Sequence, residues 1–119
     1  MKKNTSHSPL AEGEFKDVVV GELKSDAAFR EEYLKGLLRE QDLPMLALGL
    51  RDLVEALGGI GKVSVATGLN RQNLYKAFSG KVRPDFPTLV KIINYAGYDL
   101  SVEKKRTTRR HSRTLALAH

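Results

Sequence analysis

Side chains with the chemistry to recognise DNA bases are concentrated between residues 71 and 76. Arg71 can donate two hydrogen bonds to guanine, and Gln72 can make two with adenine. Lys76 can reach a guanine or a phosphate, whereas the ring of Tyr75 either faces outward with these side chains or packs on a neighbouring helix. These residue types indicate contact with nucleic acid if the local structure presents them together.

The surrounding segment predicts two short helices, from about residue 61 to residue 79, broken at Gly68 and Leu69. Gly68 can adopt the left-handed backbone that turns one helix into the next. Asn70 is a good N-cap for the second helix, and Ser64 is small where the two helices cross closely. The positions expected to meet between the crossed helices are mostly apolar: Val63, Ala66, Leu69, Leu74, Ala77 and Phe78. This layout is that of a helix-turn-helix, whose second helix lies in the major groove of DNA.

The segment resembles the helix-turn-helix of Cro/repressor-type bacterial regulators. More narrowly, it is similar to the addiction-module antidote proteins, the DNA-binding antitoxins that are paired with small toxins. The resemblance is carried by GGIGKV at 58–63, ATGLNR at 66–71, NLYKAFSG at 73–80, and residues 84, 88–89 and 96–97, and more weakly by 43–57 and 100–102. Val65 departs from the pattern, because such motifs usually carry an exposed polar residue at that position.

The resemblance implies a role for individual residues of the second helix and its surroundings. The side chains that it places against base edges are Arg71, Gln72, Tyr75 and Lys76. The side chains that it places against phosphates, where they would set the register, are Lys62, Asn70, Ser79, Lys81 and Arg83. The N-terminus of the second helix would add backbone donors and partial positive charge.

The charge distribution supports a polyanionic partner for the second half of the chain. Residues 1–60 have 8 Lys/Arg and 11 Asp/Glu, a net charge of −3, whereas residues 61–119 have 12 Lys/Arg and 3 Asp/Glu, a net charge of +9. Basic surfaces gain affinity for DNA through counterion release. The basic residues of the tail 103–119 form either a DNA-binding arm or a solvated segment.

The 119 residues are enough for one compact domain and predict an all-α fold, a repressor-like bundle of five or six helices. We expect a flexible N-terminus at 1–13, a helical domain at 14–102 and a basic tail at 103–119. Helix N-caps are predicted at Ser25 or Asp26, at Asp42 and at Asp85. The predicted inward faces are Phe15, Val18, Val19 and Leu23, then Phe29, Tyr33, Leu34, Leu37 and Leu38, then Leu46, Leu50, Leu53, Val54 and Leu57, and finally Phe86, Leu89, Val90, Ile92 and Ile93.

Residues 98–102 favour a short strand, with Tyr98, Leu100 and Val102 on one face. A lone strand has no partner within the chain, so it predicts pairing across a homodimer. A dimer also suits an operator with two half-sites about one turn of DNA apart.

Several classes of function are disfavoured by the composition. The chain has no cysteine, and its three histidines lie near the ends without metal-ligand spacing, so we expect no metal site and no cofactor. No paired nucleophile and base is present, and Gly58 to Lys62 lack the spacing of a phosphate loop, which argues against an enzyme. No secretory signal or membrane-spanning run is visible, which agrees with a cytoplasmic protein.

The sequence therefore favours a sequence-specific DNA-binding repressor that acts as an antitoxin-like component of an addiction module, with double-stranded DNA and a small toxin as partners. Two alternatives remain at this point. The chain could be a stand-alone or prophage regulator without a toxin, or a protein-interaction module that retains the fold; the basic set around Arg71 argues against the latter.

Overall fold

The computed structural model describes the backbone of residues 12–106 and the side chains of residues 15–106, and this part of the chain is all-α. Six helices follow one another: α1 (Glu12–Ser25), α2 (Ala27–Arg39), α3 (Leu43–Ala56), α4 (Ile60–Thr67), α5 (Arg71–Ala77) and α6 (Phe86–Tyr95). None of the described helices is long and apolar enough to cross a membrane. Most of the predicted N-terminal segment and the tail beyond Arg106 lie outside the described residues.

The predicted helix starts are confirmed by three aspartate N-caps. The carboxylates of Asp26, Asp42 and Asp85 accept hydrogen bonds from the backbone N–H three residues later, at 3.0, 3.2 and 2.9 Å. Such a bond satisfies one of the free N–H groups at the start of a helix. The predicted stop after α3 is confirmed as well, since Gly58 and Gly59 both have positive φ, at 115° and 98°.

Helix α3 lies at the centre of the bundle. Its predicted stripe is buried, with Leu46, Leu50, Leu53 and Val54 at most 2% exposed. The larger core cluster joins this stripe to residues of every later helix and of α2: Leu34, Leu53, Val54, Val63, Leu69, Leu74, Ile92 and Ile93. The α4–α5 pair is therefore fixed on a scaffold formed by α2, α3 and α6.

The predicted inward face of α1 is wrong in part. Val20 and Leu23 are buried, at 6% and 1% exposure, whereas Phe15 and Val18 are 59% and 52% exposed. Because three valines are consecutive, the sequence fits more than one helical face, and packing against α2 and α3 selects the side with Val20. The first turns of α1 thus leave apolar side chains in solvent.

Other predicted core positions also lie at the surface. Phe86 is 70% exposed because it is the first residue of α6, and Thr88, two positions later, is buried instead. Leu38 is 44% exposed near the end of α2, and Ala66 lies on the outer side of α4.

Residues 98–102 form no strand, and no strand occurs elsewhere between residues 12 and 106. Tyr98 and Leu100 pack against the core of their own chain, whereas Val102 is 99% exposed. The Tyr98 hydroxyl also donates a hydrogen bond to the carbonyl of Ala27 at 3.2 Å. A strand needs a second backbone for its ladder, and a single chain offers none here.

Candidate nucleic-acid interface

The turn between α4 and α5 is built from side chains that bond to their own backbone. Gly68 has φ 80°, the left-handed conformation that the sequence predicted, and its N–H donates to the carbonyl of Ser64 at 3.0 Å. The Ser64 hydroxyl donates to the carbonyl of Leu69 at 2.6 Å. The Thr67 hydroxyl donates to the carbonyl of Val63 at 2.6 Å and accepts from the N–H of Leu69 at 3.2 Å. These bonds fix the direction in which α5 leaves the turn.

The roles of Ser64 and Thr67 were missed by sequence reasoning. Ser64 was expected only to be small enough for a close helix crossing, and no role was assigned to Thr67. The signal that could have found Thr67 is its position at the end of a predicted helix, directly before the turn glycine Gly68. A threonine there can bond to the backbone carbonyl four residues earlier.

Helix α5 begins at the predicted cap. The side-chain oxygen of Asn70 accepts a hydrogen bond from the N–H of Asn73 at 2.7 Å. Leu74 and Ala77 then anchor the helix, at 0% and 3% exposure. Because one face of this seven-residue helix is buried, the opposite face is held at a fixed angle to the bundle.

The four predicted base-contact residues all lie on the exposed side of α5. Arg71, Gln72 and Lys76 are exposed, and Tyr75 is 57% exposed. Gln72, Tyr75 and Lys76 follow Arg71 by one, four and five positions, which places the four side chains on neighbouring turns of one face of the helix. Tyr75 also borders a cleft of about 640 Å³ between α3 and α5, so its ring is flanked by protein on one side.

Arg71 reaches back over α4. Its Nη2 atom lies 3.0 Å from the point where a side chain on Gly61 would place its Cβ. A Cβ at position 61 would therefore be in tight contact with the guanidinium, which would have to shift by a few tenths of an ångström. This contact gives Gly61 a part in positioning Arg71 that sequence reasoning did not assign.

The predicted phosphate-contact residues are exposed, but the side chains of Ser79 and Arg83, like that of the cap residue Asn70, are engaged within the chain. Ser79 donates its hydroxyl to the carbonyl of Lys76 at 2.8 Å and accepts from the N–H of Lys81 at 3.2 Å. Arg83 donates to the carbonyls of Glu40 and Gln41, at 3.2 and 3.4 Å. Both residues thus stabilise the loop after α5, and contact with phosphate stays a prediction for them.

Lys62 in α4 and Lys81 in the loop after α5 are exposed cations, and Asn70 is exposed at the start of α5. The cap bond of Asn70 uses its side-chain oxygen, which leaves the amide nitrogen able to donate to an anion.

The charged side chains in this part of the chain are all positive. Between Glu55 and Asp85 the sequence has five basic residues and no acidic one: Lys62, Arg71, Lys76, Lys81 and Arg83. At the edge of this region, the hydrogen bond from Thr88 and the nearby charge of Lys76 hold the pKa of Asp85 below its ordinary value. The carboxylate of Asp85 is therefore committed to capping α6.

The described residues contain no group of His, Asp or Glu side chains arranged to hold a metal ion. The arrangement around α5 offers hydrogen-bond donors, a helix N-terminus and positive charge, which together suit the binding of a polyanion.

Comparison with known proteins shows the family. A family model described as a probable addiction module antidote protein matches residues 14–104. The chain belongs to this family. The match to the antidote family spans all six helices except the first residues of α1, and it includes the α4–α5 pair and the segment 98–102.

One relative has been found among curated proteins, an uncharacterized protein from Haemophilus influenzae. It is 27% identical over 93 residues, which cover 78% of this chain and 95% of the relative. The two chains therefore align over nearly the whole antidote region. No solved structure matches this chain.

Proposed function

We propose that this chain is a sequence-specific DNA-binding repressor that serves as the antitoxin of an addiction module, and that α5 reads the major groove. The antidote family supplies the addiction-module context. The DNA-binding part rests on the geometry and charge of the α4–α5 pair.

The observation that carries the proposal is the exposed face of α5. Leu74 and Ala77 hold one side of the helix in the core, and Arg71, Gln72 and Lys76 face solvent on the other. The hydrogen bonds of Arg71 suit guanine, and those of Gln72 suit adenine. A short helix presented in this way fits the width of the major groove.

The surroundings of α5 supply affinity that does not depend on sequence. Lys62 precedes it and Lys81 follows it in the chain, both are exposed, and no acidic residue occurs between positions 56 and 84. Release of counterions from DNA phosphates favours binding to such a surface. The proposal therefore assigns specificity to α5 and much of the binding free energy to the basic residues near it.

Two further parts of the proposal concern partners. Because one short helix reads few base pairs, we propose that the protein binds its operator as a homodimer. Membership of the antidote family implies a toxin in the same system, and we propose that this chain binds it directly.

The experiment that tests the DNA-binding part is selection of duplexes from a random library, followed by titration of the enriched sequence. A regulator of this kind enriches a two-fold symmetric site and binds it far more tightly than random DNA. Failure to enrich any sequence, or equal affinity for selected and random duplexes, would reject the proposal.

A further inference from the structure

An apolar groove of about 390 Å³ lies between the first three helices, on elements that the DNA-binding proposal does not use. Its rim includes Phe15 from α1 and Met45 and Leu48 from α3, which are 59%, 53% and 38% exposed. The inner wall is formed by Phe29 and Tyr33 of α2, whose ring centroids are 5.8 Å apart. Large apolar side chains that cluster in solvent mark an interaction surface.

Gly49 shapes the groove by allowing α2 and α3 to approach closely. A Cβ on Gly49 would meet the side chain of Leu37, and the Tyr33 hydroxyl lies 3.5 Å from the Gly49 carbonyl. Gly36 also lines the groove. The concave surface is therefore built into the helix packing.

A buried carboxylate lies in this apolar groove. Asp52 of α3 is only 6% exposed, and its Oδ1 atom has no hydrogen-bond partner among the residues that the structure describes. Burial raises the pKa of Asp52. Burial, with a smaller effect from the charge of the same carboxylate, also raises the pKa of Tyr33 to about 12. A buried charge without a full set of partners destabilises a fold, so its presence in an open groove points to a cation supplied from outside.

Within residues 15–106, the cations that act on Asp52 are Lys16 and Arg51, and both are engaged elsewhere or exposed. The ammonium group of Lys16 lies 2.8 Å from a carboxylate oxygen of Glu55. Arg51, the neighbour of Asp52, is exposed on α3. The groove also has Glu40 in its lining, and residues 1–60 have a net charge of −3.

From this geometry we propose that the groove between α1, α2 and α3 is the docking site for the toxin, and that it takes a segment with apolar side chains and one Lys or Arg that pairs with Asp52. The inference rests on the proposed antitoxin function, because the toxin is the partner that this function implies. It assigns the toxin to the acidic half of the chain and DNA to the basic half, so both partners can be bound at once.

A second copy of the chain fits the groove less well. A two-fold symmetric contact brings the same patch of each copy together. Two such grooves in contact would face two buried carboxylates and two acidic surfaces, which repel each other. A basic segment from a different protein meets no such penalty.

Isothermal titration with the purified product of the reading frame next to this gene tests the proposal. The two groove variants are Asp52→Asn, which removes the charge and keeps the shape, and Met45→Asp, which adds a charge at the exposed rim. Phe86→Asp is the matched control, since Phe86 is an exposed apolar residue outside the groove. We expect each groove variant to bind the toxin at least about 10-fold more weakly and the control to bind as the wild type does.

Two readouts separate loss of the site from loss of the fold. Asp52→Asn should raise the melting temperature of the isolated chain, because it removes a buried charge, while it weakens toxin binding. Both groove variants should keep the wild-type affinity for operator DNA. Hydrogen exchange should show toxin-dependent protection in α1, the second half of α2 and the first turns of α3.

Each other outcome has a definite meaning. If the wild type binds the toxin and both groove variants bind equally well, the docking site is wrong while the antitoxin function stands. If the wild type binds operator DNA but not this product, the antitoxin part of the function fails and the docking site with it. If Met45→Asp converts a wild-type dimer into monomers, or if removal of residues 107–119 tightens toxin binding at least about 10-fold, the groove belongs to a second copy or to the tail, and the proposal is overturned.

Discussion

The side-chain oxygen of Asn70 accepts a hydrogen bond from the backbone N–H of Asn73 at 2.7 Å, and this bond defines the start of α5. We propose that the same residue contacts a DNA phosphate through its amide nitrogen. Cap and contact use different atoms of one side chain, so substitutions at position 70 can separate helix stability from DNA binding.

Replacement of Asn70 by Asp should keep the cap and lose the phosphate contact. Asp is as good an N-cap as Asn, so the free energy of unfolding should stay close to that of the wild type. The new carboxylate would face DNA phosphates, so affinity for selected and random duplexes should fall together. Thermal melting and fluorescence anisotropy measure the two effects.

Asn70→Ala provides the comparison for this variant. It removes the cap and should reduce the free energy of unfolding by about 1 kcal/mol. If Asn70→Asp bound DNA as tightly as the wild type, the N-terminus of α5 would not approach a phosphate.

Affinity for DNA should fall steeply with ionic strength. The logarithm of the binding constant should decrease with the logarithm of salt concentration by about 0.9 for each phosphate neutralised. A chain that ends at Val102 lacks Lys104 to Arg106 and the basic residues beyond them, and its slope should be smaller if the tail contacts phosphates. Titrations at several salt concentrations give both slopes, and equal slopes would show that residues 103–119 have no role in DNA binding.

The proposed homodimer should depend on Val102. This side chain is 99% exposed, in a segment that forms neither helix nor strand, so an apolar contact there is available to a second chain. Val102→Lys should weaken association, whereas Val65→Lys, at a residue 86% exposed on α4, should leave it unchanged. Sedimentation at micromolar concentration measures the assembly. A wild type that stays monomeric with and without DNA would contradict the dimer, and a dimer insensitive to Val102→Lys would move the interface elsewhere.

Leu100 is a poor site for this test, although the sequence alone favours it. Its side chain packs against the core of its own chain, so a charge there would unfold the monomer as well as disturb a dimer.

The stability of the fold should respond to the ionisation of Asp52. Burial raises its pKa above the ordinary value of 3.8, and the charged groups that act on it are Lys16 of α1 and Glu55 and Arg51 of α3. Tyr33 of α2 also lies close enough for its own pKa to respond to the charge of Asp52. At a pH above the pKa of Asp52 in the folded protein, the charged carboxylate destabilises the folded state. Below pH 3.8 the carboxyl group is protonated in both the folded and the unfolded chain, so this destabilisation disappears. The gain in melting temperature from Asp52→Asn should therefore be largest near pH 7 and should shrink as the pH falls through the folded pKa.

The difference between the two melting curves isolates Asp52, because the other titrating groups are common to both chains. A gain that is constant from pH 7 to pH 3.5, or no gain at all, would show that the carboxylate is not destabilised by its surroundings.

The elements that the sequence predicts correctly are those set by local interactions. The aspartate caps, the glycine turns and the continuous stripe of α3 depend on residues within a few positions of one another, so a pattern in the sequence is enough to find them. The α4–α5 pair is found for the same reason, since Gly68, Asn70 and the apolar positions between them lie within one short segment.

The features that the sequence does not predict depend on distant parts of the chain. Arg83 bonds to carbonyls 43 and 42 residues earlier, at the end of α2. Asp52 is buried because α1 and α2 cover its side of α3, and the helical pattern of α3 alone does not show this. Whether Phe15 or Val20 faces the core is likewise decided by the packing of α1 against its neighbours.

The central claim is that the first turns of α5 read DNA bases, and titration of an operator with Gln72→Ala and Arg71→Ala tests it most directly. Each variant should lose about 1–3 kcal/mol of binding free energy on the selected duplex and should relax base preference at one position. Gln72→Ala should bind random DNA almost as the wild type does, since it removes no charge. If both variants kept full discrimination between the selected and random duplexes, α5 would not be the reading helix.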